Sequence, residues 1–201
     1  MAGYTAIADI GNALTELLRL NIVPEVLANE ESIGVCSPED KGDFLLGLYL
    51  YDIKQSEVFR NSEMQIMDSK RQKYPPVNLE LYYMLTAYSN GDVKFRSLEE
   101  HKILGKVIQV FTDNSILDAS TLKPMTKPDE FSIHLEMLSL SLEEKMKIWA
   151  FPNKPYKLSV FFKVAPVELE SLRIREVRRV MDIQFTVKEH GVNGKYDKRS
   201  D

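Results

Sequence analysis

A single cysteine, Cys36, stands among 201 residues, so no intramolecular disulfide can form and the composition fits a reducing compartment. No apolar run approaches the roughly 18 residues of a membrane span. Residues 1–20 carry Asp9 and Glu16 where the apolar core of a secretory signal would be uninterrupted. These absences predict cytoplasmic synthesis, no membrane insertion and no standard export signal. No glycine-rich phosphate loop occurs. The three histidines, His101, His134 and His190, never fall on one helical turn, so a metal site has no support. Nothing near Cys36 would lower its thiol pKa, which makes it a small buried side chain rather than a nucleophile. Acidic residues are plentiful, yet no pair stands out from a solvated background as a general acid and base. Without a nucleophile, base, metal or cofactor constellation, the chain reads as a binding or structural protein rather than an enzyme.

The 30 acidic and 26 basic side chains give a net charge of −4, which argues against a surface built for nucleic acid while allowing a local basic patch. With 44% hydrophobic residues the chain can bury a real core, and its length suits one domain. That domain is organised around residues 77–88, which follow Pro75 and Pro76. Val77, Leu79, Leu81, Tyr83, Leu85 and Ala87 recur at every second position, so an extended strand turns all six toward one core face. The opposite row, Asn78, Glu80, Tyr82, Met84, Thr86 and Tyr88, is mixed, as though something besides water covers it. The prolines lack ladder donors and push the chain out of the helical region, which fixes where the strand starts.

Upstream, Ile7, Ile10, Leu14, Leu17 and Leu18 fall at helical spacing and predict an amphipathic helix over residues 4–20, stopped before Pro24. Its stripe suits either a sheet or a partner subunit. Residues 33–36 read as a short strand, and residues 44–51, almost free of polar side chains, as a strand covered on both faces. The pattern weakens over residues 52–74. There Met64, Ile66 and Met67 fit an extended hairpin arm as well as a solvated loop.

Downstream, Ser97-Leu-Glu-Glu100 has the form of a capping box and predicts a helix that buries Leu104, Val107, Ile108 and Phe111 and ends near Asn114. A second box, Ser141-Leu-Glu-Glu144, predicts a shorter helix with Leu142, Met146 and Trp149 on one side and Pro152 beyond its end. Strands follow from Phe131, Ile133, Leu135 and Met137, and from Tyr156, Leu158, Val160, Phe162 and Val164, with Phe161 the exception to the second alternation. The order predicts an α+β domain over residues 1–170: a mixed, largely antiparallel sheet of about four to six strands covered by two to three helices. By this count the domain is complete at Pro166. Yet Met181, Ile183, Phe185 and Val187 alternate in a further strand, preceded by Arg173, Arg175, Arg178 and Arg179. Residues 171–190 therefore read as an extended arm able to add a strand to a sheet edge, and residues 191–201 as a polar, flexible tail.

Three segments together resemble one family. They are Pro75-Pro-Val-Asn-Leu-Glu-Leu-Tyr-Tyr-Met-Leu-Thr-Ala-Tyr88, His101-Lys-Ile-Leu-Gly-Lys-Val-Ile-Gln-Val-Phe-Thr-Asp-Asn-Ser-Ile-Leu117, and Leu138-Ser-Leu-Ser-Leu-Glu-Glu-Lys-Met-Lys-Ile-Trp149 with Pro155-Tyr-Lys-Leu-Ser-Val160. They are similar to the tail-terminator, or cap, proteins of extracellular contractile injection systems, over roughly residues 5–170. The resemblance implies a homohexameric ring that ends the inner tube at the baseplate-distal end of a phage tail-like particle and joins the last sheath ring. It implies partners in the tube protein, the sheath protein and further copies of the chain, with no cofactor. Residues 52–74 and the chain after Glu170 match the family less well. On those stretches, contact with the tube by Met64, Ile66 and Met67 and with the sheath by the arm is inference. The bland alternative is a monomeric adaptor that binds one partner through a sheet edge.

Overall fold

The computed structural model describes residues 3–58, 63–117 and 132–176. Helix α1 (Ala6–Ile22) buries Ile10, Leu14, Leu17 and Leu18 as its spacing requires, and it ends ahead of Pro24. Strand β1 (Ile33–Val35) lies parallel to β2 (Leu46–Gln55); β2 is antiparallel to β5 (Val77–Ala87), and β5 to β8 (Ser159–Leu169). Beyond β8 come β7 (Ile133–Met137) and β6 (Ile116–Leu117), which complete a six-stranded sheet in the order β1-β2-β5-β8-β7-β6. One parallel pair in an otherwise antiparallel sheet is the mixed α+β architecture expected from the pattern. Phe131, predicted to begin β7, lies outside the described residues.

Strand β5 sits near the middle because both its faces are apolar where the sheet is thickest. Leu81, Tyr83, Leu85 and Ala87 are buried in the main core with α1 and with Ile103, Leu104, Val107 and Phe111 of α2 (Val93–Asp113). Phe162 of β8 meets Phe111 edge-to-face at 4.9 Å between ring centroids, an arrangement the aromatic quadrupole favours. Val77 and Leu79, the first two of the predicted row, run past this cover and are exposed and half-buried respectively. The opposite face is closed by the same chain: Met84 packs with Phe161 and Trp149 in a second small core. Thr86 and Ser159 there share a hydrogen bond of 2.8 Å. Phe161 breaks the alternation of β8 because it serves this second core while Phe162 serves the first.

Several boundaries differ from those predicted. Helix α2 begins at Val93, capped by Asp92, whose carboxylate accepts from the Lys94 amide at 3.0 Å, so Ser97 is interior and its box does not form. Glu100 instead accepts from the Ser89 amide and pairs with Lys157. The first turn escaped notice because its apolar residues, Val93, Phe95 and Leu98, are exposed and mark no buried stripe. The second box forms in full at Ser141 and Glu144, opening α3 (Leu142–Ile148). Yet Leu142 and Met146, expected beside Trp149 in the core, are 67% and 50% exposed. Strand β8 starts at Ser159 rather than Tyr156 and passes through Pro166 to Leu169, so the sheet does not finish at the proline. Leu79 faces Val167 and Leu81 faces Val164, leaving Ala165 and Pro166 opposite Glu80 alone. Such a bulge tolerates a residue with no N–H to donate.

The β1 edge of the sheet is partly closed by its own helix. Arg19, in the last turn of α1, donates from Nη2 to the Ile33 carbonyl at 2.8 Å and from Nε to the Glu30 carbonyl at 3.0 Å. An occupied acceptor on an edge strand discourages indiscriminate strand addition there.

Candidate functional site

The two stretches predicted to make contacts meet in one place. Strands β3 (Gln65–Ile66) and β4 (Arg71–Lys73) form a hairpin at and beyond Met64, Ile66 and Met67, the residues that suggested one, and β9 (Ile174–Glu176), the root of the arm, pairs antiparallel with β4. The result is a separate three-stranded sheet in the order β3-β4-β9. Its turn is built by Asp68. Oδ1 accepts from the Lys70 and Arg71 amides, each at 2.8 Å, and Oδ2 accepts from Arg71 Nε at 2.7 Å. Three donors on this short turn would otherwise depend on solvent, so the carboxylate sets the hairpin's register.

The Lys70 amide and the Arg71 side chain hold the Asp68 carboxyl below the usual carboxylate range. A carboxyl whose folded pKa is lowered adds stability above its unfolded value and loses it only as pH falls through the folded one. The Arg71 amide resonance is therefore expected to titrate with a midpoint below that of an ordinary aspartate, measured by NMR. A midpoint at or above the ordinary value would contradict this turn geometry.

The arm root is fastened by three further contacts. The Tyr74 amide donates to the Arg173 carbonyl at 3.0 Å, the Arg173 guanidinium lies 4.3 Å over the Tyr74 ring, and Lys73 pairs with Glu170. Arg173 is thus occupied with its own subunit, whereas Arg175 is exposed opposite Gln72. The register puts Gln65, Lys73 and Ile174 in one row and Ile66, Gln72 and Arg175 in the adjacent row, on the other face. Ile66, Met67, Leu172 and Ile174 are all exposed and Met64 is half-buried, so each face of the small sheet carries apolar side chains to solvent. The remaining predicted arm residues, Arg178, Arg179, Met181, Ile183, Phe185 and Val187, lie outside the described residues. Leu172 and Ile174 went unnoticed in the sequence because their partner strand, Arg71-Gln-Lys73, has no hydrophobic alternation to reveal it.

A second feature lies at the far end of the main sheet. An apolar groove of about 380 Å³ runs between α2, β7 and β8, lined by Leu104, Ile108, Met137, Leu158 and Phe161, with His101 and Lys145 as its basic members. Among the described residues no group of three or more His, Cys, Asp or Glu side chains could hold a metal. No helix there is long and apolar enough to cross a membrane. Burial pushes the Cys36 thiol up, away from a nucleophilic thiolate. Burial likewise raises Tyr51 and Tyr82 to about 12, with the Glu80 hydrogen bond adding to the shift of Tyr82. The features that stand out among the described residues are thus the small sheet and the groove.

The model of the Pvc16 N-terminal domain family matches residues 9–182, a span that contains all three of the motif segments quoted above. No curated protein matches the chain. In fold the chain is similar to the sheath/tube terminator of an extracellular contractile injection system, PVC, solved by cryo-EM in the extended state. The TM-score is 0.66 with 19% identity, covering 95% of this chain and 66% of that one. It is similar as well to the tube-terminating cap of the anti-feeding prophage, with a TM-score of 0.61 and 19% identity, covering 90% of this chain and 61% of that one. The chain thus spans somewhat under two thirds of the length of these solved chains. The sequence resemblance to tail terminators of contractile injection systems is borne out, and the chain belongs to the Pvc16 N-terminal domain family.

Proposed function

We propose that the protein is a structural cap that closes the baseplate-distal end of the inner tube of a contractile injection particle and joins the last sheath ring, acting as a homohexameric ring. The observation that carries this reading is the likeness of its fold, over 90% or more of its length, to two terminators of such particles. The physical requirement is simple. Tube subunits stack head to tail through an interface that never closes along the axis, so growth stops only where a ring offers a matching lower face and a non-matching upper one. No catalytic group, cofactor or nucleic acid enters that task. Assembly takes place in the cytoplasm where the chain is made, and the finished particle carries it outside the cell.

In this reading residues 1–170 form the ring body, residues 171–190 the arm that adds a strand to the sheath, and residues 191–201 a tail. Met64, Ile66 and Met67 meet the tube end, while Arg173, Arg175, Arg178 and Arg179 stand at the root of an arm whose pairing residues are Met181, Ile183, Phe185 and Val187. Replacing Ile66 and Met67 by Asp puts two charges where apolar contact with the tube is expected. Both side chains are exposed, so the fold is retained while tube capping fails. Electron microscopy of particles assembled with this variant should show tubes of uncontrolled length, and tubes of normal length would remove the tube-contact assignment. Mass measurement separates the cap from a lone adaptor. Sixfold rings, free or on tube ends, are expected, and a monomer under both conditions would favour the adaptor.

A further inference from the structure

We infer that the groove between α2, β7 and β8 receives the β1 end of the next copy, so that the two ends of the six-stranded sheet form the ring-closing contact. The inference rests on the ring reading above and names the surfaces that close it. A ring needs a heterologous interface, in which two different patches of one chain meet around the circle. The sheet order places β1 at one end and β7, with the short β6, at the other, as such a contact requires.

The groove end is apolar and, among the described residues, unpartnered. Met137 and Leu158 line it and are about half exposed, and α3 contributes Lys145 to its lining. Leu142, Lys145 and Met146 lie on one side of α3 by helical spacing, and Lys145 also lines the groove. Two half-exposed apolar side chains on the wall of an apolar groove are more than scattered surface hydrophobicity and mark a contact site. Its charged members are both cationic or able to become so: His101, and Lys145, whose ammonium lies 5.9 Å over the Phe161 ring and has no carboxylate partner among the described residues.

The β1 end is its complement. Val35 and Leu20 are 51% and 77% exposed, and the chain flanking β1 carries Glu30 and Glu31 before it and Glu39, Asp40 and Asp43 after it, against the one lysine Lys41. All five carboxylates are exposed, and none takes part in an ion pair among the described residues. An end with two exposed apolar side chains and a surplus of acid fits an apolar groove with a cationic member, and the like charge of two β1 ends disfavours their meeting each other. Arg19, by closing the Ile33 carbonyl, steers this end toward side-chain packing rather than open strand pairing.

The test compares Leu158→Glu with Leu158→Lys in the full chain, reading ring formation by sedimentation of purified protein and by electron microscopy on tube ends. Facing an acidic neighbour, Glu at this half-exposed groove position should weaken assembly at least ~10-fold, while Lys should be tolerated within ~3-fold. Glu30→Lys with Glu31→Lys should restore assembly to the Leu158→Glu chain. Equal losses with Glu and Lys, or no restoration, would overturn the β1 end as the occupant. Unimpaired rings with both substitutions would overturn the groove as the interface. A wild-type chain that forms no ring in solution or on tubes would overturn the ring reading itself, an outcome distinct from the other three.

Discussion

Ending the chain at Glu176 is expected to yield rings that cap the tube but no longer hold the sheath. The cut belongs there rather than at Glu170, because β9 pairs with β4 and Arg173 stacks on Tyr74. Removing those contacts would loosen the hairpin as well and would confuse tube contact with sheath contact. A chain ending at Glu176 keeps the small sheet and loses residues 177–201, which hold Arg178, Arg179, the alternating Met181, Ile183, Phe185 and Val187, and the tail. In the proposed hexamer the lost arms would act together, and linking contacts multiplies attachment by roughly 10²–10⁴ over a single one. Attachment of the sheath to the capped end should therefore fall by at least ~100-fold, counted as capped tubes that retain their last sheath ring. Charge reversal of Arg178 and Arg179 to Glu should give a smaller loss that shrinks as salt is raised, since steering by exposed charge is screened. Truncated protein in particles with fully retained sheath would remove the arm from the mechanism.

Much of this fold was legible because its helices and long strands carry strong periodicity. The row from Leu81 to Ala87 and the stripe from Ile10 to Leu18 each bury as their spacing demands, and the Ser141 box forms atom for atom. What escaped has a common physical cause. Short strands such as β3, β4, β6 and β9 run two or three residues, too few for alternation to register, and are stabilised by pairing rather than by a buried row. Helix α2 gains its first turn from Asp92, an ordinary cap whose following apolar residues face solvent, so neither burial nor periodicity announces it. Met64, Ile66 and Met67 were singled out by composition alone. That β9 joins them in one sheet follows from tertiary placement, which no local pattern encodes.

The same distinction between periodicity and placement decides Trp149. Helical spacing puts it on one side with Leu142 and Met146, but only Trp149 is buried, and none of the seven residues of α3 is. The helix is consequently fixed at its two ends, by the Ser141 cap at the start and by Trp149 just past the finish. There the indole packs with Met84 and Phe161, both buried almost completely, and meets Phe151 and Tyr156 edge-to-face at 5.6 and 5.9 Å. Its Nε1 donates to the Pro155 carbonyl at 2.9 Å, closing the loop that leads into β8. Trp149→Ala should cost about 3–5 kcal/mol, the range for emptying an aromatic site in a core. At roughly 2–4 °C per kcal/mol for a domain of this size, the melting temperature should drop by roughly 6–20 °C. Trp149→Phe keeps most of the ring contacts and forfeits the N–H donor, so about 1 kcal/mol is expected. Because α3 carries Lys145 to the groove, Trp149→Ala should also weaken the proposed ring contact at temperatures well below its melting point, whereas Trp149→Phe should not. A loss under about 1 kcal/mol for the alanine variant would mean that the second core is not what holds α3 against the sheet.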